Sequence, residues 1–388
     1  MSTQLVRMKF AAAAAKVETT PGTDAIAGTP SASDWIAGDF EADLDPQILE
    51  NPELTGALDR APAIVGGLRP RIRMRVPLRG SGTAGTAPDW ATLMKCCAYK
   101  QTDTAAAVGA PTAAASGTTT TVTAATPFGT TANQYRGMPL LVTGDQTFTG
   151  GIIGYTTGRV ISLGEARSSA LTVSSLLQIP INNLFGPTSD EAVYKTATIY
   201  FYADGFQWRF GGAVGTWSLE LTSGGIGYLT FDLRAQMLAY SATAVPTGWN
   251  TVIRPTPPTW KAGRMQFNYA TARVRRLMLD AGVSAVLPDN PEAVEAYDPA
   301  VPIDRQSGGS LDPLMDTSLS VAQYDNFKAG TNMPILAVIG STAGNRFLAT
   351  VPSARATGFR PGNRDGLGQH DIAFRADGAD AGLFLCAF

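Results

Sequence analysis

The clearest pattern in the chain runs from Tyr194 to Tyr240, where apolar and polar positions alternate between tight turns. Thr198 to Tyr202 is β-branched and aromatic, and Asp204-Gly205 supplies residue types that accept positive φ in a two-residue hairpin turn. Phe206, Trp208 and Phe210 then alternate with Gln207 and Arg209, the period of a half-buried strand. Gly211-Gly212 interrupts the run. Trp217, Leu219 and Leu221 alternate with Ser218, Glu220 and Thr222, and Ser223-Gly224-Gly225 turns the chain into Tyr228 to Leu233. This predicts a meander of four strands that scaffolds the rest.

A second alternation lies upstream. Arg69, Arg71, Arg73 and Arg75 interleave with Pro70, Ile72, Met74 and Val76, which on a strand sets four guanidinium groups on one face. Pro88 to Tyr99 reads as the clearest helix: Asp89 is placed to cap it, and Trp90, Leu93, Met94 and Cys97 share one face. Ser33 to Leu44 reads as a strand partner anchored by Trp35 and Phe40, and residues 1–30 as an arm ordered only by packing on something else. Downstream, Met265 to Leu279 reads as strand and Asn290 to Leu314 as a long polar loop. Leu319 to Phe327, Ile335 to Ile339, Arg346 to Val351, Asp371 to Phe374 and Leu383 to Phe388 read as further strands.

Composition changes this picture in one place. Residues 100–190 hold 18 threonines and only eight charged residues, with short β-like runs between turn residues. The segment is expected to be a small β domain inserted between the helix and the meander, on the outside of the main body. The alternative is an elaborated loop. If the insert is peripheral, removing residues 104–187 should leave assembly intact. With 41 Gly, 25 Pro and 16% charged residues in 388, an all-β protein with one flanking helix is expected. Low charge also suits a surface largely covered by copies of itself.

Charge is segregated. Asp34 to Asp59 carries eight acids and no Lys or Arg, whereas Arg60 to Arg79 carries six arginines and no acid. The arginine face reads either as a polyanion surface or as a face paired with the neighbouring acids, and the adjacency favours pairing. A net charge of −2 gives no general attraction to nucleic acid.

Candidate chemistry is sparse. No phosphate-binding glycine motif occurs in a strand–helix context. His370 is the only histidine, and Gln369-His370-Asp371 reads as a loop before a strand. No catalytic, cofactor or metal residue stands out. Cys96, Cys97 and Cys386 lack zinc-site spacing and read as buried small apolar groups. No apolar run approaches the ~20 residues that cross a bilayer, and the alanine-rich start is too weakly apolar for a signal peptide. A reduced, cytosolic folding site is expected.

Several stretches in order resemble the major tail tube protein of long-tailed bacteriophages. They are Ala14 to Ala25 (AAKVETTPGTDA), the Arg-rich strand with Gly80-Ser81-Gly82, Pro88 and the helix ending at Cys97-Ala98, and Ala197 to Leu221 with its three strands. Val301 to Asp312 (VPIDRQSGGSLD) and Pro334 to Pro352 (PILAVIGSTAGNRFLATVP) complete the set. The resemblance covers residues 1–99 and 191–388 as the tube core and leaves out 100–190. It implies a β-sandwich with one helix, six copies in a ring, about four strands per copy in a closed inner barrel, and rings stacked into a hollow tube. The implied partners are the tape measure protein, terminator and tip proteins, and double-stranded DNA passing without sequence preference. The implied place is the virion tail, assembled in the host cytoplasm.

On that reading the inner-wall strands lie near 35–44, 66–79, 206–210 and 215–221, with Asp39, Glu41, Gln207, Arg209, Ser218 and Glu220 as candidate wall residues. The acidic stretch is the candidate inter-ring loop, with Asp43, Asp45, Glu50, Glu53 and Asp59. Bare arginines in a bore would grip phosphate. Arg69, Arg71, Arg73 and Arg75 are therefore expected to be paired with acids such as Asp39, Glu41, Asp43 or Glu53. The rival readings are a virion decoration or receptor-binding module using the Thr-rich insert on host glycans, a ring from a contractile secretion machine, and a β-sandwich glycosidase.

Overall fold

The computed structural model describes residues 7, 10–54, 56, 58–249 and 254–388. From the N-terminus the elements are β1 (Ala11–Val17), β2 (Trp35–Ile36), β3 (Asp39–Asp43), β4 (Pro46–Leu49), β5 (Ile64–Leu68), β6 (Arg71–Pro77), α1 (Ala91–Lys95) and β7 (Tyr99–Thr104). The Thr-rich segment follows as β8 (Val108–Ala113), β9 (Ser116–Gly117), β10 (Thr121–Thr123), β11 (Pro139–Gly144), β12 (Phe148–Tyr155), β13 (Val160–Leu163) and β14 (Ser175–Ile179). The middle of the chain holds β15 (Asn182–Pro187), β16 (Ala197–Ala203), β17 (Phe206–Thr222) and β18 (Tyr228–Ser241). The last third holds β19 (Arg264–Phe267), β20 (Ala270–Thr271), β21 (Val274–Asp280), β22 (Val283–Val286), β23 (Val301–Arg305), β24 (Gly308–Pro313) and α2 (Ser320–Ala329). It ends with β25 (Ile335–Ile339), β26 (Phe347–Val351), β27 (Ala354–Arg364), β28 (Leu367–Ala376) and β29 (Phe384–Ala387).

The fold is mainly β and has three layers. The long sheet runs β3-β6-β18-β17-β21-β24-β28-β27, all antiparallel. β17 is long enough to serve two neighbours on one side: its first half pairs with β16, which continues to β1 and β2, and its second half pairs with β21. The second sheet runs β20-β19-β25-β26-β29-β15-β7. The two pack face to face over one core, with Ile72, Phe231, Trp217, Leu277 and Phe374 on one side and Ile335, Ala337, Phe347 and Leu385 on the other. Trp90, Leu93, Met94 and Cys97 of the α1 region fill one end of that core.

The second sheet is buried on both faces. Alternate residues Leu336, Val338, Leu348, Phe384 and Cys386 point away from the first core and join a second, shared with the Thr-rich strands. This explains the unbroken apolar runs ILAVI, FLATV and FLCA, because a strand covered on both sides has no polar face to alternate. Among the described residues the Thr-rich strands pair with one another alone, in the order β8-β14-β11-β12-β13-β10-β9. Their sheet spans 108–179. The flanking segments 99–104 and 182–187, inside or at the edge of the expected 100–190 block, are strands of the second sheet.

The insert is therefore the third layer. Glu165, 1% exposed, reaches across to Arg264 of β19 and has Arg167 at 3.7 Å. Burial pushes its carboxyl up, and the two arginines oppose that. Arg264 also donates to the Thr149 carbonyl at 2.8 Å, and Arg346 to the Thr149 hydroxyl at 3.2 Å.

Several local expectations are corrected. The N-terminal segment contains a full strand: β1 pairs with β16 over its whole length. Alanine suits this place because Ala12 and Ala14 lie under Tyr200, Tyr202 and Trp35 while Ala13 and Ala15 face the main core. The α1 helix is short. Asp89 caps nothing; it accepts from Arg79 at 2.6 Å and Arg254 at 3.0 Å, and Ala98 at φ 55 ends the turn before β7. The 290–314 loop holds β23 and β24, whose Leu311 reaches the core. Leu319 to Phe327 is helical, not extended. Gly330 at φ 63 closes that helix, its N–H reaching the Phe327 carbonyl.

Helix α2 packs on the middle of the β27–β28 hairpin. Phe327 stacks on Phe359 at 5.6 Å, and His370 lies 4.3 Å from Phe359 on the same hairpin. Among the described residues neither ring nitrogen of His370 has a hydrogen-bond partner, and burial lowers its pKa. The unfolded chain thus takes up the proton first as pH falls. Stability tied to this residue is complete above the ordinary value near 6.5 and is lost as pH falls through the lower folded-state value. Thermal midpoints at pH 7.5 and 5.5 should therefore differ more for the parent than for His370→Leu. Equal shifts in both proteins would contradict this.

Candidate functional site: a charged wall on the long sheet

The face of the long sheet turned away from the core is the best candidate for function, because it is open and regular. Direct pairing sets one residue from each of the eight strands in a row: Asp39, Arg75, Thr230, Ser218, Asp280, Gly308, Arg375 and Arg355. The next row begins Glu41, Arg73, Asp232 and Thr216, and the third Asp43, Arg71 and Arg234. Strand β3 thus places an acid opposite each arginine of β6. Opposite charges directly across a strand pair are the stabilising arrangement, and like charges the destabilising one.

Most of the arginines are engaged. Arg73 faces Glu41 and Asp232 across the strands, but its side chain makes no ion pair or hydrogen bond among the described residues, and Arg75 is held by a ring rather than by an acid. Arg71 makes a two-pronged contact with Asp232, its Nε 2.8 Å from Oδ1, and this bond with the nearby Asp43 and Glu41 raises its pKa. The Arg75 guanidinium sits 3.9 Å above the Tyr228 ring. Arg69, just outside β6, lies 3.7 Å from Asp45, which also has Arg234 at 3.9 Å. Arg276 bonds Glu220 at 2.9 Å. The acids that hold Arg69 and Arg71 are Asp45 and Asp232, not Glu53, which lies in the loop beyond β4. Asp232 was not legible as a wall residue because it belongs to β18, the strand that the structure inserts between β6 and β17.

Two candidate wall residues are elsewhere. Gln207 and Arg209 lie on the first half of β17, beneath the N-terminal segment, where Gln207 is buried and Arg209 approaches Asp24 at 3.7 Å. The cause is the N-terminal segment, which covers this half of the sheet. The bulge between Gly211 and Val214, where Gly212 takes φ 61, keeps Gln207 and Arg209 on the same side as Ser218 and Glu220, away from the core. Ser218 and Glu220, beyond the bulge, do lie on the open face.

The candidate inter-ring residues divide. Asp43 ends β3, and Asp45 is in the turn that follows it. Glu50, Glu53 and Asp59 lie on the loop of the β4–β5 hairpin, with Glu50 3.0 Å from Arg60. The same loop carries Leu54 and Leu58 fully exposed, beside Ile48, Ile64 and Val65 on its strands.

The arrangement sets acids and arginines across from one another. Among the described residues no group of His, Cys, Asp and Glu could hold a metal ion, and no helix is long and apolar enough to cross a membrane. All three cysteines are buried, and burial pushes each thiol up. No protein-family model matches the chain, and no curated protein matches it.

Because Arg71 and Asp232 are partly exposed, their pairing is a matter of charge more than of stability. Asp232→Asn is expected to lower unfolding free energy by less than about 1 kcal/mol, measured by urea denaturation. A loss of several kcal/mol would mean that the wall is held together by this pair.

Proposed function

We propose that this chain is a structural subunit that polymerises into rings and then into a hollow tube, as its resemblance to phage tail tube proteins implies. The observation that carries the reading is the long sheet, with one face in the core, the other open and lined by acids and arginines, and its end strands β3 and β27 unpaired on their outer sides among the described residues. An open sheet of this size exposes two edges that other chains can extend, and closure into a barrel removes them. The implied inner barrel consists of six four-stranded units. A wall whose arginines mostly have partners, with acids facing the rest across the strands, suits a bore through which double-stranded DNA slides, because the acids offset the cations that phosphates would bind. The β4–β5 hairpin, with Leu54 and Leu58 at its tip, would bury those leucines against the next ring. Tape measure, terminator and tip proteins would be the further partners, in a virion tail assembled in the host cytoplasm.

The test is negative-stain electron microscopy of the purified protein across a concentration series, with and without tail tips to nucleate growth. Hollow tubes or rings support the reading. Discrete monomers under every condition, with tips present, would overturn it.

A further inference from the structure

The chain contains the same structural unit twice. The first runs strand β3, protruding hairpin β4–β5, strand β6, helix α1, strands β7 and β15 with the Thr-rich layer inserted between them, then, after the additional strand β16, hairpin β17–β18. The second runs strand β21, protruding hairpin β22–β23, strand β24, helix α2, strands β25 and β26, then hairpin β27–β28. The pairings match. In the long sheet the units read β3-β6-β18-β17 and β21-β24-β28-β27, and in the second sheet β7 pairs with β15 as β25 pairs with β26. After each long hairpin the chain crosses to the second sheet, as β19 and as β29. Both protruding hairpins expose apolar side chains, Ile48 and Ile64 in one, Val286 and Ile303 in the other.

The register aligns the units residue by residue. Asp43 closes β3 opposite Arg71, and Asp280 closes β21 opposite Gly308. Phe231, opposite Met74, then corresponds to Ile372, opposite Leu311, and Trp217 to Phe359. Core residues fall on core residues in the middle of the strands, Met74 on Leu311, Phe231 on Ile372 and Leu233 on Phe374, and the match fades toward the hairpin end, where Leu219 falls on the exposed Pro361. Each long hairpin also has an irregularity a few residues before Trp217 or Phe359, Gly211 to Val214 in β17 and Ala356 to Gly358 in β27, offset by two to three residues between the units.

Within the chain the two units join through β17 and β21, with Ser218 opposite Asp280 and Thr222 opposite Arg276. The outer side of β27 is the counterpart of that side of β17, and β3 is the counterpart of β21. We infer that a second copy of this chain adds its β3 to β27 in the same register, repeating the internal junction between chains. That register sets Arg360 opposite the second copy's residue 43, an aspartate, and Arg364 opposite its residue 39, also an aspartate. The edges are thus charge-complementary: β3 carries Asp39, Glu41 and Asp43, and β27 carries Arg360 and Arg364. Arg364 also holds Asp312 of its own chain at 3.1 Å. Pro361 lacks an N–H and so discourages indiscriminate strand addition, leaving the charge match to select the partner.

This rests on the tube reading and changes its stoichiometry. Each chain supplies two units to the wall, so six units come from three chains, and the ring is a trimer with repeated halves.

The test uses the full chain. Asp43→Arg and Arg360→Asp should each raise the concentration needed for ring formation about fivefold per junction, and the double variant should restore it. Separately, cysteines at 43 and 360 together should form interchain disulfides under mild oxidation, because directly opposed strand residues lie within disulfide reach. The covalent ladder should end at three chains. Rings that form normally with Arg360→Asp, or a ladder running to six, would overturn this inference and leave the tube reading standing. A parent protein that never assembles would overturn both.

Discussion

Replacing residues 105–180 with a short Gly-Ser linker is expected to abolish soluble, folded protein. The linker would keep β7 and β15, yet it would strip the third layer from the second sheet. Leu184, Leu336, Val338, Leu348, Phe384, Cys386 and Phe388, all buried against the Thr-rich strands, would face water. At about 1.5–3 kcal/mol for each large side chain the loss is on the order of 10 kcal/mol, comparable to the whole stability of a typical domain. The expectation that a peripheral insert can be removed without consequence thus meets a layer that completes a core. Soluble yield, near-UV circular dichroism and dye binding would report the result. A soluble variant with native near-UV signal would show that the second sheet does not need its cover. Polar substitutions at Leu336, Val338, Leu348 and Phe384 in the same deletion should recover part of the solubility.

The second large effect is expected at Glu18. This buried carboxylate takes the Thr198 hydroxyl at 2.9 Å and the Gly212 N–H at 2.9 Å on one oxygen, and the Thr196 hydroxyl at 2.6 Å and Gly22 N–H at 2.7 Å on the other. It ties the N-terminal segment to β16 and to the bulge of β17. Glu18→Ala strands those donors and should cost about 4 kcal/mol, read as a shift in the urea midpoint at unchanged slope. Glu18→Gln should cost less, since the Thr196 hydroxyl can turn to accept from the new amide. A change below about 1 kcal/mol for the alanine variant would mean that water replaces the carboxylate without penalty.

The strands with clean alternation were legible because their two faces differ. The arginine strand and the second half of β17 have one face in the core and one on the wall, so Ile72, Met74, Trp217 and Leu219 announced themselves. Ile335 to Ile339 and Phe347 to Val351 were legible as short apolar runs, but not that both of their faces were covered. The first half of β17 misled because Gln207 and Arg209 look like wall residues and do lie on that side of the sheet, but the N-terminal segment covers them. Helix α2 was misread from its β-branched and aromatic residues, although Gly330 marks its end. Asp232 was missed because pairing β6 with β18 is a long-range choice that local pattern does not encode. The repeated unit was invisible for a related reason: its halves share core character at matched positions, such as Met74 with Leu311 and Trp217 with Phe359, but hardly any residue identity.

The central claim is that the charged face of the long sheet lines the bore of a tube. Cryo-electron microscopy of assembled rings, at a resolution that separates strands, tests it most directly. The account predicts β3, β6, β18 and β17, followed by β21, β24, β28 and β27, as a continuous inner wall, with the Thr-rich layer outermost. A bore lined by the Thr-rich strands, or a wall face turned outward to solvent, would contradict it.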